Sequence, residues 1–337
     1  MRSGKHDCTT DTKDATMYSF RSFAVGVILI TCIAGAAVGQ EYPTRSVTIV
    51  SPTTTGTASD MTARTLAPRL QQRLGRPFIV ENRTGASGNI GVSSVAKAAA
   101  DGHTILIAPS TIAIAPALSK ELGWDPKDLQ PIARLAFLTL SMIVPVAVPA
   151  TSPSEVAALS KQKPGTFNYA SPGNGTPHHL VAELFKQVTG ADLTHVPYKG
   201  SAGAVTDILA GRVEVAFFPV HAVLPHVKAG KLRMLATISD KRTPWTPDVP
   251  TMIEAGITGI DVDSWIGMFV PQGTPAAVAN RLTQEVTALL EQAEVREALF
   301  PQGIITNPGS ADTMGKLLRD DLERYRKIVT TARIVVD

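Results

Sequence analysis

Short apolar runs alternate with longer amphipathic segments along the chain from residue 47 onward. The short runs are rich in Val, Ile, Leu and Phe and are bounded by Gly, Pro, Asp or Ser, which is typical of buried strands. Strands are predicted over residues 47–50, 78–81, 104–108, 143–148, 167–170, 214–218, 232–238 and 265–270. Between them apolar residues recur at steps of three and four, which predicts helices. This alternation predicts an α/β fold.

The first amphipathic segment carries Leu66, Leu70 and other apolar residues on one face. Ser59 or Asp60 is the predicted N-cap of this helix, because their side chains accept hydrogen bonds from free backbone N–H groups. Pro68 falls inside it and is expected to kink it, since an interior proline costs about 3 kcal/mol.

The last third of the chain reads differently. Helices are predicted over residues 275–291, 295–300 and 310–330, and no further strand is expected there. The last of them has Leu318, Leu322, Tyr325 and Val329 on one face. The sequence thus encodes one α/β unit, then a second, and finally a strand and helices that rejoin the first. This order predicts two lobes, one of residues 40–140 with 265–337 and one of residues 141–264. The two crossing segments are expected near 139–143 and 262–266.

The N-terminal region is predicted to be an export signal. Residues 23–38 are almost wholly apolar, follow Arg21 and end in the small residues Ala37 and Gly39. A membrane anchor is the alternative, but the run is shorter than the roughly 18 to 20 residues that a membrane span needs. Residues 1–39 are therefore expected to be cleaved, which places the mature protein in the periplasm.

The polar stretch before this signal is unusual for a leader, so Met17 is the expected true start. Both cysteines of the chain, Cys8 and Cys32, fall in the part predicted to be removed. The mature chain is therefore expected to contain neither a disulfide nor a thiolate for a metal or for catalysis. About 300 residues remain, which is enough for two domains.

Charge and motifs argue against several functional classes. The 32 basic and 29 acidic residues are balanced and form no basic run, which argues against a nucleic-acid partner. No G-x-S-x-G, P-loop lysine or H-E-x-x-H motif occurs in the sequence. We therefore expect no catalytic residue, no metal and no cofactor.

Two weaker motifs have structural explanations. His178 and His179 are adjacent, so in a helix their side chains point about 100° apart, which favours a capping or core role over a shared metal. Gly85, Gly88 and Gly91 resemble a dinucleotide-binding loop, but the spacing is G-x-x-G-x-x-G and no acidic partner for a ribose is evident. A tight strand-to-helix turn explains these glycines equally well.

Three predicted strands end in loops rich in Thr, Ser, Gly and Asn that lead into helices. They are residues 53–60, 108–111 and 171–176. In an open α/β sheet ligands bind beyond the carboxyl ends of the strands, and helix N-termini favour anions. Each loop alone also fits an ordinary turn with an N-cap. Together they predict a site that holds a carboxylate by hydroxyl and N–H groups, without an arginine.

Ordered short segments along the whole mature chain carry a family resemblance. They are 42–45 (Tyr-Pro-Thr-Arg), 80–83 (Val-Glu-Asn-Arg), 88–91 (Gly-Asn-Ile-Gly), Asp101-Gly102, 168–171 (Asn-Tyr-Ala-Ser), 173–176 (Gly-Asn-Gly-Thr), 195–200 (His-Val-Pro-Tyr-Lys-Gly), 224–226 (Leu-Pro-His), 228–231 (Lys-Ala-Gly-Lys), 248–251 (Asp-Val-Pro-Thr) and 254–256 (Glu-Ala-Gly). In these segments the chain resembles the Bug-type receptors, the substrate-binding subunits of tripartite tricarboxylate transporters.

The resemblance implies a type II periplasmic-binding-protein fold, with two α/β lobes that close around a small carboxylate. It also implies ligand contacts from the first strand–helix loop and from loops of the facing lobe. The ligand-binding residues that it predicts here are Thr53, Thr54, Thr55, Gly56, Thr57, Ser110, Thr111, Ser171, Gly173, Asn174, Gly175 and Thr176.

The chain departs from the family pattern at two places. The family's first loop usually reads V-P-F-x-P-G-G-x-x-D, whereas residues 51–60 read Ser-Pro-Thr-Thr-Thr-Gly-Thr-Ala-Ser-Asp. Threonine adds hydroxyl donors but is stiff at χ1, so it changes how closely the backbone approaches a ligand. After the strand at 214–218 the family often has aspartate, whereas this chain has Phe218 and Pro219. One hypothesis is that Phe218 faces the ligand body and disfavours acidic amino acids; the alternative is a core residue.

The resulting prediction is a receptor that performs no chemistry. It would capture a di- or tricarboxylate or an aromatic acid, work as a monomer, and deliver the ligand to the membrane permease subunits of a transporter. One alternative is a receptor that reports to a membrane kinase. Another is a periplasmic hydrolase or lyase that uses His179 or His195.

Overall fold

The computed structural model describes Gly4 and residues 42–119, 121–260, 262, 264–331 and 334. The chain divides at Tyr42, and every feature described below lies in the unit Tyr42–Asp337. Apart from Gly4, the predicted export segment with Met17, Cys8 and Cys32 lies outside the described residues.

Strands and helices alternate through most of the described chain, as the hydrophobic pattern predicts. The strands are β1 Val47–Ser51, β2 Phe78–Asn82, β3 Thr104–Pro109, β4 Leu129–Leu138, β5 Leu140–Pro145, β6 Asn168–Ser171, β7 Thr194–Pro197, β8 Val215–Pro219, β9 Leu232–Ile238, β10 Ser264–Pro271 and β11 Ile305–Gly309. The helices are α1 Ala58–Leu74, α2 Asn89–Ala96, α3 Thr111–Leu118, α4 Pro153–Gln162, α5 Pro177–Thr189, α6 Ser201–Leu209, α7 Val220–Lys228, α8 Ala276–Leu290, α9 Ala293–Leu299 and α10 Ala311–Thr331.

These strands form two mixed sheets. The first sheet has the order β11-β4-β10-β3-β1-β2 and the second has the order β7-β6-β8-β5-β9. In the first sheet β1 is parallel to β2 and β3, and β10 runs antiparallel between β3 and β4. In the second sheet β6 is parallel to β7 and β8. The carboxyl ends of β1, β2 and β3 therefore share one edge, as do those of β6, β7 and β8.

The chain passes from the first sheet to the second between Leu138 and Leu140, and it returns between Ile238 and Ser264. The first crossing is anchored where Val220 N–H donates to Thr139 O at 2.9 Å. Two α/β units joined by two crossing segments confirm the predicted fold class. The residue boundaries assigned to each lobe stay a prediction.

The core lies on both faces of the sheets and continues from one sheet to the other. One buried cluster fills the first sheet's outer face, where Ile49 and Leu66 meet Leu282. A larger cluster includes Leu106 of the first sheet and Phe217 of the second. Here Trp265 is fully buried, and its Nε1–H donates to Asp321 on α10 at 2.6 Å. The predicted apolar face of α10 therefore packs inward over the crossing region.

Three strands escaped prediction, and one was misplaced. The prediction of no strand in the last third is wrong, because Ile305–Gly309 pairs with β4. Its Asn, Pro and Gly residues are turn formers that a sheet tolerates at an edge. β4 was missed because Pro131 and Arg134 interrupt its apolar run, and β7 because it is a short edge strand. The strand predicted over 143–148 instead runs over Leu140–Pro145.

The beginning of α1 also differs from prediction. Its N-cap is Thr57, and the helix begins at Ala58, so the prediction of Ser59 or Asp60 as the cap is wrong. Both side chains are buried and bond to the preceding loop instead. The helix continues through Pro68, which is exposed.

Candidate ligand site

The loop from Thr53 to Thr57 joins β1 to α1 and is closed by hydrogen bonds between its own hydroxyl groups. Thr53 Oγ1 lies 2.5 Å from Thr57 Oγ1 and 2.7 Å from Ser59 Oγ. Thr57 Oγ1 also donates to Thr54 O at 2.8 Å. Two of the four threonine hydroxyl groups predicted to contact a ligand, those of Thr53 and Thr57, thus form hydrogen bonds within the loop.

The carboxylate of Asp60 fixes the conformation of this loop by hydrogen bonds. This carboxylate is buried and accepts hydrogen bonds from Gly56 N–H at 2.9 Å, from Asn82 Nδ2 at 2.8 Å and from Arg64 Nε at 3.0 Å. Burial raises the pKa of Asp60, but these hydrogen bonds and the Arg64 charge outweigh it and hold the pKa below its ordinary value. The carboxylate therefore stays ionised at neutral pH and fixes the loop.

Thr54 is the threonine of this loop that faces the second sheet. Its side chain is exposed, and its hydroxyl makes no hydrogen bond to any described residue. A Cβ built on Gly200, which follows β7, would lie 3.9 Å from Thr54 Oγ1. Thr55 Oγ1, by contrast, donates to Asn82 Oδ1 at 3.3 Å.

Two further contacts join the strand-end loops of the two sheets. Ser87, which follows β2, donates through Oγ to Asn174 O at 3.5 Å. A Cβ built on Gly175 would lie 2.6 Å from Leu118 Cδ1 at the end of α3. The carboxyl edges of the two sheets therefore face each other, and the predicted site loops border the space between them.

The glycines at 85–91 serve close packing. A Cβ built on Gly91 would lie 2.4 Å from Arg83 O and 2.9 Å from Pro52 Cα, so a larger residue would collide with backbone. This close packing is what the tight-turn interpretation requires.

A pair of aromatic rings makes another contact between the parts of the chain around the two sheets. The rings of Trp245, which follows β9, and Phe300, which follows α9, have centroids 4.8 Å apart at an interplanar angle of 35°. A Cβ built on Gly303 would lie 1.9 Å from Cβ of His221, so this glycine admits the histidine of α7. We call Trp245 and Phe300 the aromatic clasp.

Ser110 follows β3 and is the N-cap of α3. Its side chain is fully buried, yet its hydroxyl has no hydrogen-bond partner in the described part of the chain. Its backbone N–H donates to Trp265 O at 3.0 Å, which fixes the turn, and Thr111 begins the helix. Buried polar groups are nearly always hydrogen-bonded, so this hydroxyl indicates a missing partner such as a ligand or water.

The loop from Ser171 to Thr176 is held mainly by its own bonds. Thr176 caps α5 by accepting from His179 N–H at 3.4 Å, and its hydroxyl donates to Gly173 O at 2.9 Å. Gly175 N–H donates to His179 Nδ1 at 3.2 Å. His179 therefore has the structural role that the sequence favours.

Ser171 and His195 form a pair that superficially resembles a hydrolase site. Ser171 Oγ lies 2.6 Å from His195 Nε2, and the His195 ring stacks between Tyr169 at 4.6 Å and His179 at 4.2 Å. Burial, with neighbouring His179, lowers the pKa of His195 to about 4. A base this weak beside a fully buried serine disfavours the hydrolase alternative.

His178 differs from these histidines. Both of its ring nitrogens are buried and lack hydrogen-bond partners among the described residues. Its ring packs on Phe218 at a centroid distance of 5.4 Å. Burial, and then the nearby His221, lower the pKa of His178 to about 3, so the ring is neutral at pH 7. The sequence assigned it only a capping or core role, although its place just after a strand-end loop is the signal that distinguishes it.

Phe218 is fully buried in the core of the second sheet. This burial is what the core alternative predicts, and a contact between Phe218 and the ligand body stays a prediction.

Within the described ranges there is no group of three or more His, Cys, Asp or Glu residues that could hold a metal. No helix of those ranges is long and apolar enough to cross a membrane.

Comparisons with known proteins show the family of this chain. Residues 62–334 match the model of the tripartite tricarboxylate transporter family receptor. The chain is 33% identical over 309 residues to the protein BugT of Bordetella pertussis, and the match covers 90% of this chain and 95% of BugT. The chain belongs to the tripartite tricarboxylate transporter receptor family.

Solved structures of similar proteins contain small carboxylates. Rpa4515 of R. palustris with adipate is 35% identical, with a TM-score of 0.82, covering 87% of this chain and 99% of that one. MatC of Rhodopseudomonas palustris with bound malate is 29% identical, with a TM-score of 0.78, covering 86% and 100%.

Proposed function

We propose that this chain is a periplasmic receptor that captures a small organic carboxylate between its two lobes and delivers it to membrane permease subunits. Membership of a transporter receptor family supports the role. The adipate and malate in similar proteins support the ligand class. Export, a monomeric state and the absence of chemistry belong to the same proposal.

The observation that carries the proposal is the unpartnered hydroxyl of Ser110. It lies at the N-terminus of α3, where free N–H groups and the helix dipole favour an anion. α1 also lacks a side-chain cap at its N-terminus, and it starts from the loop that faces Gly200. A carboxylate between these helix ends would satisfy donors from the protein without a buried cation.

Capture would follow from closure of the lobes. A ligand that touches loops of both sheets favours the closed arrangement because it gains contacts only there. Ser87 with Asn174 and the aromatic clasp are contacts that closure would form.

A thermal-shift screen of the purified chain without residues 1–39 tests the proposal. The panel contains adipate, malate, citrate, benzoate, aspartate and glucose. A ligand present at 100 times its dissociation constant adds about 2.7 kcal/mol of stability. A rise in Tm with one of the carboxylates supports the proposal, and a rise with glucose alone overturns it. Uptake of that acid, compared between cells with and without the gene, separates transport from signalling to a kinase.

A further inference from the structure

We propose that His178 is a ligand-contacting residue that selects carboxylates with a second oxygen-bearing group. This inference rests on the proposed function and narrows its ligand class. It gives a role to a histidine that the fold leaves without a hydrogen-bond partner.

The position of His178 places it at the ligand-facing edge of the second sheet. β6 and β8 are parallel neighbours, and each leads into a helix at its carboxyl end. His178 lies in the first turn of α5 and His221 lies in the first turn of α7. The same edge carries Asn174 and Gly200, which meet the loops of the first sheet.

The chemistry of the ring requires a partner. A neutral imidazole has one N–H donor and one nitrogen acceptor, and at His178 both atoms are buried and unpaired among the described residues. Phe218, on which the ring packs, offers no polar atom. Buried polar side chains without partners are rare in native proteins, so the bound ligand, or water that it carries, is the expected partner.

The placement of His178 also determines which ligands suit it. Ser110 and the N-terminus of α3 lie at the carboxyl edge of the first sheet, whereas His178 lies at the carboxyl edge of the second. A ligand with a carboxylate toward Ser110 and an oxygen group toward His178 satisfies both. A monocarboxylate of the same length would turn a hydrocarbon end to the imidazole and leave it unpaired. Dicarboxylates and hydroxyl-bearing acids are therefore selected.

Titration calorimetry with two ligand pairs tests this selection: adipate against hexanoate, and malate against butyrate. Wild type is expected to prefer the diacid of at least one pair. In His178→Phe the affinity for that diacid should fall about tenfold or more, because a hydrogen bond to a charged oxygen is lost, while monocarboxylate affinity changes little. His226→Phe, at the far end of α7, is the matched control and should bind like wild type.

The outcomes separate the two proposals. Unchanged diacid affinity in His178→Phe overturns the role of His178 and leaves the proposed function standing. Failure of wild type to bind any acid of the pairs or of the screening panel overturns the proposed function, and this inference with it. If His178→Phe does not fold, the ring ¹⁵N shifts of His178 in the wild type decide. A shift on addition of the diacid supports the contact, and no shift overturns it.

Discussion

Asp60 is the residue on which the first site loop depends. Its buried carboxylate joins the backbone of Gly56 to the side chains of Asn82 and Arg64. Because its pKa is depressed, its contribution to stability is present above the unfolded value of about 3.9 and is lost as the pH falls through the lower folded value.

Asp60→Asn is expected to lower the free energy of unfolding by about 1–3 kcal/mol at pH 7, because the amide cannot accept all three hydrogen bonds. Urea unfolding at pH 7 and pH 3 measures this, and the difference from wild type should shrink at pH 3. Asp320→Asn, in an exposed pair with Lys316 on α10, is the control and should change little. An equal effect of Asp60→Asn at both pH values would contradict the assignment.

At the same scale, the sequence predicts which loops border the cleft but not how their side chains pair. The Thr- and Ser-rich composition at the strand ends is local and visible. The bond between Thr53 and Ser59, however, depends on side-chain rotamers, and the isolation of His178 depends on what packs around it. The ligand-binding roles of the loop residues remain predictions.

At the scale of elements, the buried parallel strands were the most predictable. β1 and β3 are parallel neighbours inside the first sheet, and their residues are mostly apolar and buried because both faces of the sheet are covered there. Edge strands need fewer apolar residues and tolerate proline and glycine, so β7 and β11 carry no strand pattern. These two strands are determined by their pairing with β6 and β4, which cannot be read from a short stretch of sequence.

Pro68 in α1 provides a test at this scale. It is exposed inside a continuous helix, where proline destabilises the folded state by about 3 kcal/mol relative to alanine. Proline also lowers the conformational entropy of the unfolded chain, which stabilises the folded state by about 1 kcal/mol. Pro68→Ala is therefore expected to raise the free energy of unfolding by about 2 kcal/mol, measured by urea unfolding. Pro153→Ala, at the first position of α4 where proline fits, should give no gain. A loss of stability in Pro68→Ala would show that the proline is accommodated without cost.

At the scale of the whole molecule, the site loops and the aromatic clasp are two sets of contacts between the sheets outside the shared core. Trp245 is partly buried against the cluster of the second sheet that contains Phe218, whereas Phe300, at the end of α9, is 48% exposed. Under the proposed closure of the lobes, the clasp is expected to add contact energy to the closed arrangement.

Phe300→Ala should weaken ligand binding by about two- to tenfold, because an aromatic pair contributes about 0.5–1.5 kcal/mol beyond its area. Tryptophan fluorescence during ligand titration measures the affinity, and the signal should be largely lost in Trp245→Phe. The control is Ile90→Ala, which removes a different exposed apolar side chain, on α2, and should leave the affinity unchanged. Wild-type affinity in Phe300→Ala would remove the clasp from the closing mechanism.

The position of β10 has a consequence for the order of folding. This strand lies between β3 and β4, yet well over a hundred residues separate it from either along the chain, roughly the length of a whole domain. The second sheet is contiguous in sequence, so it can assemble as soon as its last strand is available. The first sheet cannot be completed until Ser264–Pro271 pairs with both β3 and β4, and pairing between strands so distant in sequence is slow. Until then the facing edges of β3 and β4 are unpaired and are open to pairing with other chains.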